Sequence, residues 1–270
     1  MQRRFQLLLI GPALVFALAF FAVPMVRLAF VGASGPDGLA TYLSVLTTPR
    51  HREVMIATLL LAATVTLTTL VLATIAALFL ARARFPGRAV LVSMLTFPLA
   101  FPGVVVGFMV ILLAGRQGLI NEVSTTLTGE RIVFAYSMGG LFLGYLYFSI
   151  PRVLLTVMAG VETLDPAVAE AARSLGAKPL EVLRDVTLPA LTPALIASGA
   201  IAFATAMGAF GTAFTLATDI DVLPMLIYTE FTLQANFAAA GALSIMLGVV
   251  TWAVLFVARM FGGNSVAAAG

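Results

Sequence analysis

Long apolar stretches, separated by short polar segments, make up most of this chain. A helix rises about 1.5 Å per residue, so six of the stretches are long enough to cross a hydrocarbon core of about 30 Å. They predict an all-α polytopic membrane protein with spans at 6–30, 55–80, 89–114, 133–157, 190–217 and 237–260. The first stretch exceeds the apolar part of a signal peptide, so we interpret it as a retained span. The alternative is a cleaved leader that ends near Ala33.

The amino-acid composition is that of a membrane protein, and it argues against several kinds of metal and redox site. Of the residues, 61% are hydrophobic and 10% are charged, whereas a soluble domain carries about 25% charged residues. We expect one membrane domain over residues 1–270. The chain has no cysteine and its single histidine is His51, which argues against disulfides, thiolate ligands and a multi-histidine metal site. We therefore expect no metal site and no cofactor in this chain.

The distribution of Lys and Arg predicts the orientation, because these residues accumulate in cytoplasmic loops. With the N-terminus inside, the inner face carries more of them than the outer face, so both termini are expected in the cytoplasm. This bias also explains the basic composition without a nucleic-acid partner. The inner residues are Arg3, Arg4, Arg82, Arg84, Arg88, Arg152, Arg173, Lys178, Arg184 and Arg259, and the outer ones are Arg27, Arg50, Arg52, Arg116 and Arg131.

The polar segment 159–189, between the fourth and fifth spans, predicts two short helices on the cytoplasmic face. Asp165 is a good N-cap and Pro166 a good first residue for a helix that ends near Gly176, where a left-handed residue is expected. Pro179 opens a second helix, and Pro189 is expected to close the segment. One apolar stripe has helical spacing. It consists of Val168, Ala171, Ala172 and Leu175.

The spacing of this segment is specific. Glu170-Ala171-Ala172 is followed after three residues by Gly176, and after nine more by Val186-Thr187-Leu188-Pro189. This resembles the EAA loop of type I ABC importer permeases, the inner-membrane components of binding-protein-dependent transport. The family pattern has Ile where this chain has Val186. The chain is similar to the subgroup that serves polyamines, ferric iron, thiamine, sulfate and aminophosphonates, partly through the glycine-rich stretch 208–212.

The resemblance implies a single transmembrane permease domain in the bacterial inner membrane, with the segment acting as a coupling helix. The implied partners are two copies of a cytoplasmic ATPase, a second permease that is a copy or a paralogue, and a periplasmic solute-binding protein. ATP and magnesium would be bound by the ATPase, because this chain lacks a phosphate-binding GxxxxGK[ST] loop. The implied coupling residues are Glu170, Ala171, Ala172, Gly176, Leu188 and Pro189.

Two groups of residues bear on the transported solute. Thr205, Met207, Phe210, Thr212 and Thr215 are candidates for lining the pathway, although packing is the commoner role of such residues. Asp219, Asp221 and Glu230 make the last outer loop acidic, which fits docking of the binding protein or attraction of a cation. A polyamine or related small amine is the first expectation. The alternatives are ferric iron, thiamine, sulfate and an aminophosphonate.

Two other classes compete with an importer. A polytopic membrane enzyme needs a convergent catalytic motif, and HExxH, GxSxG and paired intramembrane carboxylates are all absent from the sequence. A secondary transporter is expected to show internal repeats and a charge at mid-membrane. Neither is evident in the pattern. We therefore expect no catalytic residues in this chain.

Overall fold

The computed structural model describes residues 2–216 and 220–262, and every regular element in those ranges is helical. The helices are interrupted by π turns at Leu18–Ala22, Leu183–Thr187 and Thr229–Leu233 and by a 3-10 turn at Phe97–Ala100. The α-helices are α1 Gln2–Ala17, α2 Val23–Gly32, α3 Ala40–Thr47, α4 Pro49–Arg82, α5 Arg88–Thr96, α6 Gly103–Ala114, α7 Leu119–Thr128, α8 Met138–Glu162, α9 Pro166–Ser174, α10 Pro179–Val182, α11 Leu188–Gly208, α12 Gly211–Leu216, α13 Leu223–Tyr228 and α14 Phe237–Gly262.

Six segments of the described chain are long and apolar enough to cross a membrane, which confirms the predicted number of spans. The first, second and sixth lie close to the predicted positions. The six segments are Ile10–Gly32, Pro49–Arg82, Gly103–Thr128, Met138–Glu162, Pro179–Gly208 and Phe237–Phe261.

The third predicted span, 89–114, is wrong as a single helix. The chain forms α5 and a 3-10 turn, becomes extended at Phe101 and Pro102, and restarts as α6. Pro102 explains the break, since the residue before a proline is forced out of the helical region and the ring removes a backbone donor. The apolar periodicity gave no sign of the interruption because both sides of it are apolar.

The fourth and fifth spans are displaced from their predicted positions. The fourth was expected at 133–157, but it begins at Met138 because the Ser137 hydroxyl caps the helix by accepting from Gly139 N and Gly140 N. The fifth was expected at 190–217. Its helix ends at Gly208, the chain is extended at Ala209, and α12 follows.

Pro189 does not close the polar segment as predicted. Helix continues from α10 through the π turn into α11, with Pro189 inside the first turn of α11. In the π turn, Leu188 N donates to Leu183 O, five residues earlier. The wider turn accommodates a proline that has no N–H to offer, and so the coupling segment joins the fifth span without a break.

Contacts divide the chain into two compact units, residues 1–56 with 223–250, and residues 57–222 with 251–270. In the first, the Tyr42 hydroxyl of α3 donates to Ala29 O of α2 at 2.7 Å, and α14 packs closely on α2 at Gly32. The last outer segment contains α13 and the π turn that follows it. The expectation of a single domain stays a prediction.

The second unit holds the coupling segment and the core that supports it. Small and branched side chains of α4, α8 and α11 interlock in a buried cluster that includes Ala73, Ala77, Val153, Val157 and Leu191. Alanine lets the α4 backbone approach its neighbours closely, as is usual in membrane helices. This core holds the ends of α8 and α11 that flank the polar segment.

Candidate functional site: the coupling segment and a cavity on the pathway

The first helix of the polar segment forms as its sequence predicts. The Asp165 carboxylate accepts from Ala167 N at 2.9 Å and so caps α9, with Pro166 as the first helical residue. At the other end, Gly176 adopts φ +90°, while Gly176 N donates to Arg173 O and Ala177 N donates to Ala172 O. This is the two-bond Schellman ending, which requires a left-handed residue at Gly176.

The second helix is capped by its own carboxylate. Glu181 accepts from Lys178 N at 2.7 Å, which satisfies one of the free donors at the start of α10. The two helices are therefore separated only by the four residues 175–178, with Gly176 at the turn. The local sequence fixes both ends of that turn, so the geometry of the segment follows from nearby residues.

One side of the segment packs against the rest of the second unit. Ala169 and Val182 are buried, and so is Thr187 in the π turn. Nearby, Arg88 Nη2 lies 3.9 Å from Glu162 Oε1 at the end of α8, and Arg88 Nε donates to Leu80 O at 2.6 Å. The start of α5 is therefore tied to the two helices beside the segment.

The opposite side of the segment exposes large apolar side chains. Leu175 is 90% exposed, Leu180 is 73% exposed and Val168 is 54% exposed. We call these three side chains the apolar ridge. Of the predicted stripe, Val168, Ala171 and Leu175 are exposed. Of the other predicted coupling residues, Glu170, Gly176 and Pro189 are exposed, while Ala172 and Leu188 are half-buried.

The candidate pathway residues do not form one lining. Thr205 and Thr212 face a cavity of about 440 Å³, whereas Met207 is fully buried. Thr215 donates to Gly211 O at 2.9 Å and packs against Gly107 of α6. Phe210 contacts Phe214, with the ring centroids 5.3 Å apart and the rings tilted, and it is absent from the cavity wall.

The cavity contains a charged residue that we had predicted at the inner face of the membrane. Arg152 of α8 lines it and donates from Nη1 to Thr205 Oγ1 of α11 at 3.0 Å. The predicted fourth span ended at residue 157, which put Arg152 near the inner surface. In the structure α8 extends to Glu162, so Arg152 lies within the span. An arginine between apolar runs, next to Pro151, was the signal available in the sequence.

The proposed docking acids have different surroundings. Asp221 is exposed, and Asp219 lies outside the described residues. Glu230 is 6% exposed, so it is not available for direct contact with another protein in this structure. Its carboxylate accepts from Asn236 Nδ2 at 3.0 Å and lies 3.9 Å from His51 Nε2. The amide of Asn236 and the imidazole of His51, in the first turn of α4, are thus the polar neighbours of this buried carboxylate.

Comparison with known proteins agrees with this architecture. In sequence, the chain is 30% identical over 244 residues to the putative 2-aminoethylphosphonate transport system permease protein PhnU of Salmonella typhimurium, covering 88% of this chain and 85% of the relative. It is 30% identical over 251 residues to the sulfate transport system permease protein CysT of the same species, covering 92% and 88%.

The fold is also that of a solved importer. A chain of the bacterial alginate ABC transporter, crystallised with an alginate-bound periplasmic protein, matches with a TM-score of 0.78 at 19% identity over 96% of this chain and 94% of that one. The model of the family described as "binding-protein-dependent transport system inner membrane component" matches residues 70–266. The chain therefore belongs to that family, and it is a multi-pass inner-membrane permease subunit of an ABC importer.

Proposed function

We propose that this permease imports a small oxyanion, either sulfate or a phosphonate such as 2-aminoethylphosphonate. The two relatives described above are assigned, in the first case putatively, to the transport of solutes that carry a tetrahedral phosphorus or sulfur oxyanion. The first expectation, a polyamine, finds no support in them. They favour the sulfate and aminophosphonate alternatives instead.

The observation that carries the mechanism is the apolar ridge. It stands on the segment between α8 and α11, beside exposed Glu170 and Arg173, and the turn between its two helices is held by the backbone hydrogen bonds around Gly176. Burying a Leu or Val side chain contributes about 1.5–3 kcal/mol, so three of them provide substantial affinity for a groove. We infer that the groove belongs to a cytoplasmic ATPase, and that Glu170 contributes a charge-assisted hydrogen bond there.

Continuity between the segment and the fifth span supports the coupling role. Since helix extends from α10 through the π turn into α11, a displacement of the ridge is transmitted directly to the span that lines the cavity. ATP and magnesium are bound by the partner in this mechanism. We propose two ATPase copies and a second permease, and a topology with the segment and both termini in the cytoplasm, as the Lys and Arg distribution favours.

The outer end is proposed to receive the solute from a periplasmic binding protein. With Glu230 buried, Asp221 is the described acidic residue of the last outer loop that remains on the surface for such docking. Asp219 is retained in the proposal from the sequence alone. The competing classes, a secondary transporter and a polytopic enzyme, are disfavoured by the family to which the chain belongs.

Co-purification tests the coupling proposal. The permease is expressed with its ATPase, solubilised in mild detergent and captured through a tag on the permease. Leu175→Glu is expected to abolish recovery of the ATPase, while Leu39→Glu, an equally polar change at a leucine that is 76% exposed elsewhere, leaves recovery unchanged. Recovery of the ATPase with Leu175→Glu at the level of the unmodified chain would argue against the ridge as its docking surface.

Uptake tests the solute class separately. Proteoliposomes that contain the permease, the ATPase and the cognate binding protein are supplied with ATP inside and with labelled sulfate, labelled 2-aminoethylphosphonate or labelled spermidine outside. Uptake of one of the two oxyanions, and none of spermidine, is expected. Uptake of spermidine alone would restore the polyamine expectation and overturn this part of the proposal.

A further inference from the structure

The position of Arg152 is unusual for a cationic side chain. At about 1.5 Å per residue it lies about 15 Å from the C-terminal end of α8, well inside the span Met138–Glu162. A charged side chain inside a bilayer is costly and is retained where it faces a cavity, a partner or a substrate route. A purely structural side chain at this point would be expected to be apolar.

The polar partners of Arg152 within the chain are few. Its Nη1 donates to Thr205 Oγ1, and that hydroxyl donates onward to Ile201 O at 2.8 Å. Among the ion pairs of the described residues, none involves Arg152. Because a guanidinium has five N–H donors and a full positive charge, the single bond to a neutral hydroxyl leaves most of its capacity unused.

The cavity beside Arg152 has the size of a ligand site. Its volume of about 440 Å³ falls within the range of about 300–1,000 Å³ that is typical of small-molecule sites. It lies where two helices are interrupted, at Phe101–Pro102 and at Ala209–Phe210. Arg152 is the charged residue of a wall that otherwise consists of apolar, glycine and threonine residues.

We propose that Arg152 binds the solute's oxyanion as the solute passes through the membrane, and that Thr205 holds the guanidinium in place. This inference rests on the proposed function, since a sulfate or phosphonate group presents the paired oxygens that a guanidinium binds through two parallel N–H bonds. Arg152 is thus a specificity-determining residue within the permease itself, in addition to the specificity supplied by the binding protein.

A structural tie between α8 and α11 is the competing explanation, and a comparison of charge-removing with charge-conserving variants separates the two. The variants are Arg152→Gln, Arg152→Lys and Thr205→Val, with Arg259→Gln as a control at an exposed arginine in α14. Uptake of labelled sulfate and labelled 2-aminoethylphosphonate is measured in the proteoliposomes described above. Melting temperature and recovery of the ATPase are measured on the same preparations.

Loss of charge-assisted hydrogen bonds predicts that Arg152→Gln lowers oxyanion uptake at least about tenfold, with assembly retained. Arg152→Lys is expected to keep part of the uptake, Thr205→Val to lower it less than Arg152→Gln, and Arg259→Gln to leave it unchanged. Equal uptake by Arg152→Gln and the unmodified chain overturns the inference. The inference is also overturned if both Arg152→Gln and Arg152→Lys lose recovery of the ATPase and melt at a lower temperature. That result would show that Arg152 is needed to hold α8 and α11 together.

A second readout separates failure of this inference from failure of the proposed function. Inorganic sulfate is titrated into the purified permease–ATPase complex without binding protein, and the melting temperature is followed with chloride at the same ionic strength as the reference. If sulfate raises the melting temperature of the unmodified complex but not that of the Arg152→Gln complex, the anion site is supported. This holds even if the proteoliposomes take up neither oxyanion. Absence of any sulfate-dependent stabilisation in the unmodified complex, together with no oxyanion uptake, overturns both.

Discussion

The hydroxyl of Thr212 in α12 donates a hydrogen bond of 2.9 Å to the carbonyl oxygen of Gly103, the first residue of α6. The side chain is 1% exposed, and its methyl group lies against Gly144 of α8. Three helices therefore meet on one threonine at the wall of the cavity. Small residues at Gly103 and Gly144 make that approach possible, as is common where membrane helices pack closely.

Removal of the Thr212 hydroxyl should weaken this junction. Thr212→Val keeps the shape of the side chain but removes the donor, so we expect a loss of about 1 kcal/mol in the free energy of unfolding. The melting temperature of the detergent-purified protein reports the change. Thr212→Ser retains the donor and removes only the methyl group. If Thr212→Val had the melting temperature of the unmodified chain and Thr212→Ser had a lower one, packing of the methyl group would be the important interaction.

Gly144 should not tolerate a side chain. A Cβ at this position would lie 2.7 Å from Thr212 Cγ2, and Thr212 is fixed by its own hydrogen bond. Overpacking of this kind costs about 1–3 kcal/mol, so Gly144→Ala is expected to lower the melting temperature clearly. Gly139→Ala is the matched control, because its Cβ would meet only Ser137 Oγ, at 3.4 Å. Equal effects of the two alanines would contradict the close approach of α8 and α12.

Tyr42 is expected to connect stability to alkaline pH. Its hydroxyl donates to Ala29 O, and burial raises its pKa above the ordinary value of 10.0. The folded protein therefore holds this proton more tightly than the unfolded chain does. The contribution of Tyr42 is fully present below about pH 10 and is lost as the pH rises through the folded pKa.

Tyr42→Phe removes both the hydrogen bond and the ionisable group. We expect the variant to lose about 1 kcal/mol of unfolding free energy at neutral pH. Above pH 10 the difference between the variant and the unmodified chain should shrink, because the unmodified chain loses what the variant already lacks. Melting temperatures at pH 8 to 11 measure this. A difference that stays constant across the range would show that the phenol does not titrate with unfolding.

The sequence predicted local features better than it predicted where helices end inside the membrane. The Asp165 cap and the left-handed Gly176 depend on neighbouring residues alone, so both followed from the pattern. The interruption at Phe101–Pro102 follows from Pro102, but apolar periodicity does not record it because the residues on both sides are apolar. The position of Arg152 was missed because the predicted end of span four was five residues early, and the apolar pattern does not mark the end of α8 at Glu162.

Gly176 gives the sharpest test of the coupling segment. Its φ of +90° is unfavourable for any residue with a Cβ, and most of all for a β-branched one, although a Cβ there would meet no atom within 4 Å. Gly176→Val should therefore break the turn between α9 and α10 without disturbing the buried core. We expect the variant to insert normally and to lose stimulation of ATPase activity by solute-loaded binding protein in reconstituted membranes.

Gly176→Asn is the informative comparison for that variant. Asparagine adopts the left-handed conformation more readily than other residues with a side chain, so most of the stimulation should be retained. Because a Cβ at this position has no neighbour within 4 Å, the contrast between Val and Asn chiefly reports backbone conformation. Full stimulation with Gly176→Val would mean that the turn is not required to transmit motion, and the coupling role of this residue would have to be abandoned.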